Sequence, residues 1–330
     1  MPSVTLMTLD APVQTATGKT LSTGCNWQGN TVGVPYGGTG TASTPADGAL
    51  LIGGNSIYQT NSISVQGITQ TVGVGTITLA ANLKAQCRLN YAATNSLTLT
   101  REDGQWIPIN GTWRSIPAAG LSTTNTGLPH STRFFIYATM NSASTMELFL
   151  HPTGHTTHTD GVEIMTGDSL KTLVGMASTN ASGQFQQSAT GNLVLSWFNR
   201  RAILTATPLS ATISTNSGSF IELGSGFTGF RIGFLTWSNE LVLVDADGLW
   251  YGGANVAYTS VGIDAATATQ ASNAHQASTA VPLAIKFATS LSEGYHWAAL
   301  VGRTTGGTTY TWEGGPTPGM RCNLSVRVMG

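Results

Sequence analysis

Ionic side chains are scarce in this chain: 14 basic and 15 acidic residues in 330 leave 9% charged and a net charge of −1, where soluble domains average about 25% charged. A nucleic-acid-binding role is therefore not expected, because neutralising phosphates takes clustered Lys and Arg, and the four Lys and ten Arg here are scattered. Long apolar runs are missing too. No stretch approaches the ~18–20 consecutive apolar residues of a membrane span, so membrane insertion is not expected either. Residues 1–10 hold neither the basic region nor the apolar core of a secretory leader. Cysteine is nearly absent. Cys25, Cys87 and Cys322 are odd in number and widely separated, which fits neither a metal finger nor a disulfide framework and leaves them as reduced, isolated thiols.

What the chain does have is hydroxyls and glycine, with 79 Ser plus Thr and 40 Gly, so its polar surface is built from hydroxyls, amides and backbone. Hydrophobic residues make up 41%, which with a net charge near zero is the opposite of a disordered composition. β-Branched residues lose rotamer freedom on a helix but pack well on a pleat. Strands are accordingly predicted over residues 133–140, 145–150, 170–178, 192–198, 230–236, 280–288, 294–302, 308–312 and 322–328. Two hairpins with Asp-Gly turns are also predicted. One runs from Leu97-Thr98-Leu99-Thr100 through Glu102-Asp103-Gly104 to Gln105-Trp106-Ile107. The other runs from residues 240–244 through Asp245-Ala246-Asp247-Gly248 to Leu249-Trp250-Tyr251. The alanine-rich residues 264–280 are the one plausible helix, but their Thr, Ser, Asn and Gln content argues equally for a polar loop between strands, which is the preferred reading. Many short strands separated by turns make the chain all-β, with β-sandwich or jelly-roll domains.

Residues 1–82 differ, with few aromatics and many Gly and Thr, and carry too little apolar surface to offset a backbone ordering cost of roughly 1–2 kcal/mol per residue. That region is expected to order against copies of itself or a partner. Aromatic and aliphatic density rises from about residue 83, and Asn199-Arg200-Arg201 closes that stretch. The expected division is 1–82, 83–201 and 202–330.

Chemistry-bearing constellations are few, and no cofactor is expected. His151, His155 and His158, with Asp160, form the one local cluster of metal-ligand types; Pro152 and Gly154 place it on a loop rather than a helix face, and structural histidines explain it better. Asp245-Ala246-Asp247-Gly248 has the alternate carboxylates that begin a calcium loop but no Glu downstream at loop spacing. Glycoside hydrolysis needs two carboxylates across the scissile bond, and Glu222, Glu240 and Glu293 show no recognisable pairing. No Gly-x-Ser-x-Gly elbow joins a strand to a helix, so the chain is not expected to be an enzyme. The aromatics of the last domain are the binding candidates. Trp250 with Tyr251, Tyr295 with Trp297, and Tyr310 with Trp312 have faces suited to sugar rings, although alternation along a strand usually buries one of each pair.

Tyr36-Gly37-Gly38-Thr39-Gly40, followed by Gly48-Ala49-Leu50-Leu51-Ile52-Gly53, resembles the GGTG segment recurrent in bacteriophage tail fibres and related virion appendages. Ile109-Asn110-Gly111, Phe135-Ile136-Tyr137-Ala138, Thr172-Leu173-Val174-Gly175-Met176-Ala177 and Ser196-Trp197-Phe198-Asn199-Arg200 are similar to a domain of phage fibre-like proteins. Glu293-Gly294-Tyr295-His296 with Gly306-Gly307-Thr308 is similar to jelly-roll-like fibre tips. The resemblance implies a homotrimeric virion protein, assembled in the bacterial host cytoplasm, whose N-terminal region binds other virion proteins. Its distal domain would contact host surface glycan. Two alternatives stay open at this point: a capsid or neck decoration protein, and a polysaccharide depolymerase.

Overall fold

A computed structural model describes residues 50–54, 57–61, 68–73, 76–81, 85–223, 230–268, 273–276, 279–315 and 321–330. Cys25 and the Tyr36–Gly40 motif lie outside the described residues. The chain divides into two compact units, Met1–Leu83 and Lys84–Gly330. Within the first, Leu50–Gly54 pairs antiparallel with Ile57–Asn61, and Ile68–Gly73 with Thr76–Ala81.

Every regular element among the described residues of the second unit is a strand. Its last part is a sandwich of two sheets. The front sheet has seven strands, with Gly294–Thr304 between Arg231–Thr236 and Ala257–Ile263. The back sheet has six, with Leu241–Gly252 beside Asn323–Met329, Val281–Ser290 and Tyr310–Trp312. Alternate residues explain the packing, since a period of two sends every second side chain inward. Ile232, Phe234, Val261 and Leu300 from the front meet Val242, Val244, Leu324 and Val326 from the back in one core.

A six-stranded proximal sheet, with Arg133–Met140 between Met146–His151 and Asp168–Ser178, precedes this sandwich. Its central strand does not alternate polar and apolar; Phe134 to Ala138 are all buried. The reason is that both faces are covered. Phe135 and Tyr137 belong to the sandwich core, whereas Ile136 and Ala138 join a second core with Leu89, Leu97, Leu99 and Ile107. Strand Asp168–Ser178 is shared in the same way, Met176 facing one core and Val174 the other. The proximal sheet is thus a wall between two cores. The chain also crosses residue 202 by backbone pairing: Gly191 and Asn192 join the front sheet in parallel with Gly233 and Phe234, and Arg201 and Gly330 exchange hydrogen bonds at 2.6 and 2.8 Å.

The predicted strand positions recur closely, as at Arg133–Met140, Arg231–Thr236 and Asn323–Met329. Both predicted hairpins are corrected. Ser96–Arg101 pairs with Cys87–Ala93 and Leu121–Thr124, and Trp106–Ile109 pairs instead with Thr112–Ser115. Asp103 and Gly104 do turn the chain, with φ of 55° and 141°, but the strands they join enter different sheets. Asp245-Ala246-Asp247-Gly248 is not a turn. It lies inside the twelve-residue strand Leu241–Gly252, in register with Val281–Ser290 from Leu241 to Trp250. The inward alternation Val242, Val244, Ala246 continues through Gly248 to Trp250. Within residues 264–280, Asn273–His275 is a strand on Ala257–Ile263; residues 269–272 and 277–278 lie outside the described residues.

Gly248 is glycine because the neighbouring strand passes close. Its φ is +139°, and a Cβ there would stand 2.4 Å from the Cα of Cys322. Gly248→Ala is expected to cost about 2–3 kcal/mol through strain and overpacking, read as a lower urea midpoint, while Asp247→Ala, on the exposed side of the strand, should cost under about 1 kcal/mol. Equal small losses at both positions would restore the turn.

Candidate functional site

The residues that converge do so where the proximal sheet meets the front sheet. Arg133 opens strand Arg133–Met140, and Ser178 to Asn180 end the neighbouring strand and its turn. Gln186 to Leu193 carry the chain across, while Arg231, Gly233 and Tyr295 come from the front sheet. Together they line an open cavity of about 540 Å³, within the roughly 300–1,000 Å³ of small-ligand sites. None of the lining residues is Asp or Glu.

Tyr295 forms the aromatic floor. Its side chain stays 49% exposed, and its ring lies over Gly233, where an added Cβ would meet the hydroxyl at 3.0 Å. Beside it, Arg231 stacks on Trp297 with its guanidinium carbon 3.8 Å from the ring centroid. Arg231 is also clamped by Glu222, Nε donating to Oε1 at 2.7 Å and Nη2 to Oε2 at 2.6 Å. That bidentate pair raises the guanidinium pKa and leaves Arg231 locally neutralised. Arg133 is held differently. Its Nη1 donates to the Glu293 carbonyl at 2.9 Å and its guanidinium lies 4.9 Å from the Phe135 ring centroid. Gln186 donates to the Ser188 and Thr190 hydroxyls at 2.9 and 3.2 Å, giving the opposite wall a row of amide and hydroxyl groups.

A second constellation supports this wall from behind. His155 places Nδ1 2.6 Å from Glu163 Oε2 and Nε2 3.0 Å from Glu293 Oε2. Carboxylates only accept, so the two contacts call for N–H donors at both ring nitrogens, an arrangement that favours the protonated imidazole. The hydrogen bond to Glu293 leads in raising its pKa, against desolvation and with help from Glu163. Phe135, Trp197 and Trp237 surround the ring, with centroids 5.4–6.0 Å away. On the other side of Tyr295, His296 Nδ1 meets Asp264 Oδ2 at 2.6 Å.

The sequence candidates therefore separate. Tyr295 lines the cavity, and Trp297, outside the lining, stacks on Arg231. Trp250, Tyr310 and Trp312 are at most 1% exposed; they are core residues, and the expectation that they contact glycan is corrected, because inward alternation on the back sheet buries them. Tyr251 is half-buried, away from the cavity lining. The three histidines do not assemble. His151 Nδ1 accepts from the Thr153 amide at 3.1 Å and stacks on Phe149, His158 faces Asp160 at 3.0 Å, and His155 is spent on two carboxylates. Among the described residues no three His, Cys, Asp or Glu converge to hold a metal, which corrects the metal candidate. Glu222, Glu240 and Glu293 are each tied to a cation, namely Arg231, Arg200 and His155. Burial pushes Cys87 and Cys322 up to about 12, so neither offers a thiolate nucleophile at neutral pH.

Arg133, Arg231 and Asn180 were not legible as site residues. Each arginine precedes an apolar run, Phe134-Phe135-Ile136 and Ile232-Gly233-Phe234, a strand-start signal that says nothing of convergence.

No known protein family matches this chain, and no curated protein does. Among solved structures, it is similar to the insecticidal delta-endotoxin Cry8Ea1 of Bacillus thuringiensis, with 9% identity, a TM-score of 0.24 and coverage of 74% of this chain and 52% of that one. It is also similar to the structure of infectious bursal disease virus, Gx strain, with 12% identity, a TM-score of 0.25 and coverage of 84% and 66%. The chain spans about half the length of the toxin chain and 66% of the viral one.

Proposed function

We propose that this protein is a bacteriophage virion appendage of tail-fibre or spike type, homotrimeric, attached to the particle through residues 1–82 and contacting host surface glycan through the cavity at Tyr295. The observation that carries this reading is the cavity's lining: an exposed aromatic face beside amides, hydroxyls and arginines, with no carboxylate. Sugar rings offer C–H faces to an aromatic and hydroxyls to the polar groups around it. The same lining favours adhesion over depolymerisation, since glycoside cleavage needs a carboxylate pair, and the carboxylates near this wall are bonded to imidazole or guanidinium. Low charge suits weak single contacts, which three linked copies convert to avidity.

The test is adsorption. Tyr295→Ala is expected to weaken binding of the purified protein to host-cell polysaccharide about tenfold per site, the equivalent of about 1.4 kcal/mol, and to slow adsorption of particles carrying it. Wild-type adsorption by Tyr295→Ala particles, with immunogold against residues 203–330 labelling the head, would overturn the adhesin.

A further inference from the structure

Resting on that glycan-binding reading, we propose that the cavity takes an anionic sugar unit, bearing carboxylate or phosphate, with Arg133 as the residue that grips the anion. The charges around the cavity select this ligand. Arg231 is matched by Glu222 through two parallel hydrogen bonds. The two acids that flank Tyr295 in the chain or in space, Glu293 and Asp264, are each bonded to an imidazole, of His155 and His296. Arg133 alone among the charged lining residues has no acidic partner: its contacts are one neutral carbonyl and the Phe135 ring.

A guanidinium has five N–H donors in a planar fork, and a single carbonyl bond leaves most of them for a ligand. Arg133 is also well placed. Its Nη1 lies 2.8 Å from where a Cβ on Gly294 would stand, one residue from the Tyr295 ring. Arg133 and Tyr295 line the same cavity, so a sugar seated on Tyr295 shares that cavity with the guanidinium. The planar fork matches carboxylate and phosphate oxygens in pairs, whereas a neutral hydroxyl uses one donor and none of the charge. Arg133 is half-buried and its guanidinium lies along the Phe135 ring, which holds the planar fork in place as an exposed Lys would not be held.

The experiment prints native bacterial capsular and O-antigen polysaccharides beside carboxyl-reduced and hydrofluoric-acid-dephosphorylated forms of each, and probes them with the intact oligomer of the wild type, Arg133→Gln and Arg133→Lys. The expected result is binding to native acidic polysaccharide that falls about tenfold or more on one of the two treatments. Loss on carboxyl reduction identifies a uronate, and loss on dephosphorylation a sugar phosphate. Arg133→Gln should bind native and neutralised forms equally weakly, and Arg133→Lys should recover part of the preference. Should Arg133→Gln fail to fold, the salt dependence of wild-type binding reads the same contact, because an ionic grip weakens as salt screens it. Binding unchanged by either treatment and insensitive to salt overturns the anionic ligand while leaving glycan adhesion standing. No binding to any polysaccharide overturns both.

Discussion

His155→Ala is expected to destabilise the protein by about 3–5 kcal/mol at pH 6, the cost of breaking a largely buried ion pair by removing one partner. The imidazole is 17% exposed, and the carboxylates it separates, Glu163 and Glu293, are 13% and 21% exposed. Removing it leaves two shielded carboxylates without the cation between them, and opens a space among Phe135, Trp197 and Trp237. The pH dependence follows from the direction of the His155 shift. Its folded pKa is raised above the ordinary 6.5, so the folded state holds the proton more tightly than the unfolded chain. The contribution is complete below about pH 6.5 and is lost as pH rises through the folded value. Urea unfolding of the wild type from pH 5 to 9 should show stability declining across that upper window, and His155→Gln should remove the decline. A variant that keeps the wild-type slope would sink the assignment. Glu293 also supplies the carbonyl that holds Arg133, so loss of the His155 link should loosen the cavity wall at the same pH.

The second large effect separates core aromatics from surface ones. Trp312→Ala is expected to cost about 3–5 kcal/mol, the range for truncating a large buried aromatic, whereas Tyr295→Ala should leave stability within about 1 kcal/mol and act on binding instead. Trp312 is fully buried, its ring centroid 6.0 Å from that of Trp250 at an interplanar angle of 23°. Its Nε1 donates to Thr259 Oγ1 at 2.8 Å, a buried bond between back and front sheets. Truncation leaves a cavity and a buried hydroxyl with one partner fewer. Chemical denaturation of both variants, alongside polysaccharide binding at a temperature where both are folded, checks the contrast. A Trp312→Ala protein as stable as wild type but unable to bind would return Trp312 to the ligand site.

Composition and the period of two were enough to determine an all-β chain and the positions of most strands, because β-branched and aromatic residues in short alternating runs fit a pleat wherever it pairs. They also marked Tyr295 and Trp297 as binding candidates alongside four other aromatics. Partner choice lay beyond them. Glu102-Asp103-Gly104 and Asp245-Ala246-Asp247-Gly248 look alike as text, yet one turns the chain between sheets and the other runs straight through a long strand, because it is paired on both sides, with Val281–Ser290 and with Asn323–Met329. Alternation says which residues share a face but not whether that face is covered. Only the tertiary structure put Trp312 against Trp250 in the core, left Tyr295 open over Gly233, and brought His155 to Glu293 across 138 residues. It likewise placed Arg133 and Arg231, separated by nearly a hundred positions, on one cavity. Long-range packing carries no local signature in a chain so poor in charge, because each arginine and histidine takes its meaning from the partner that the fold supplies.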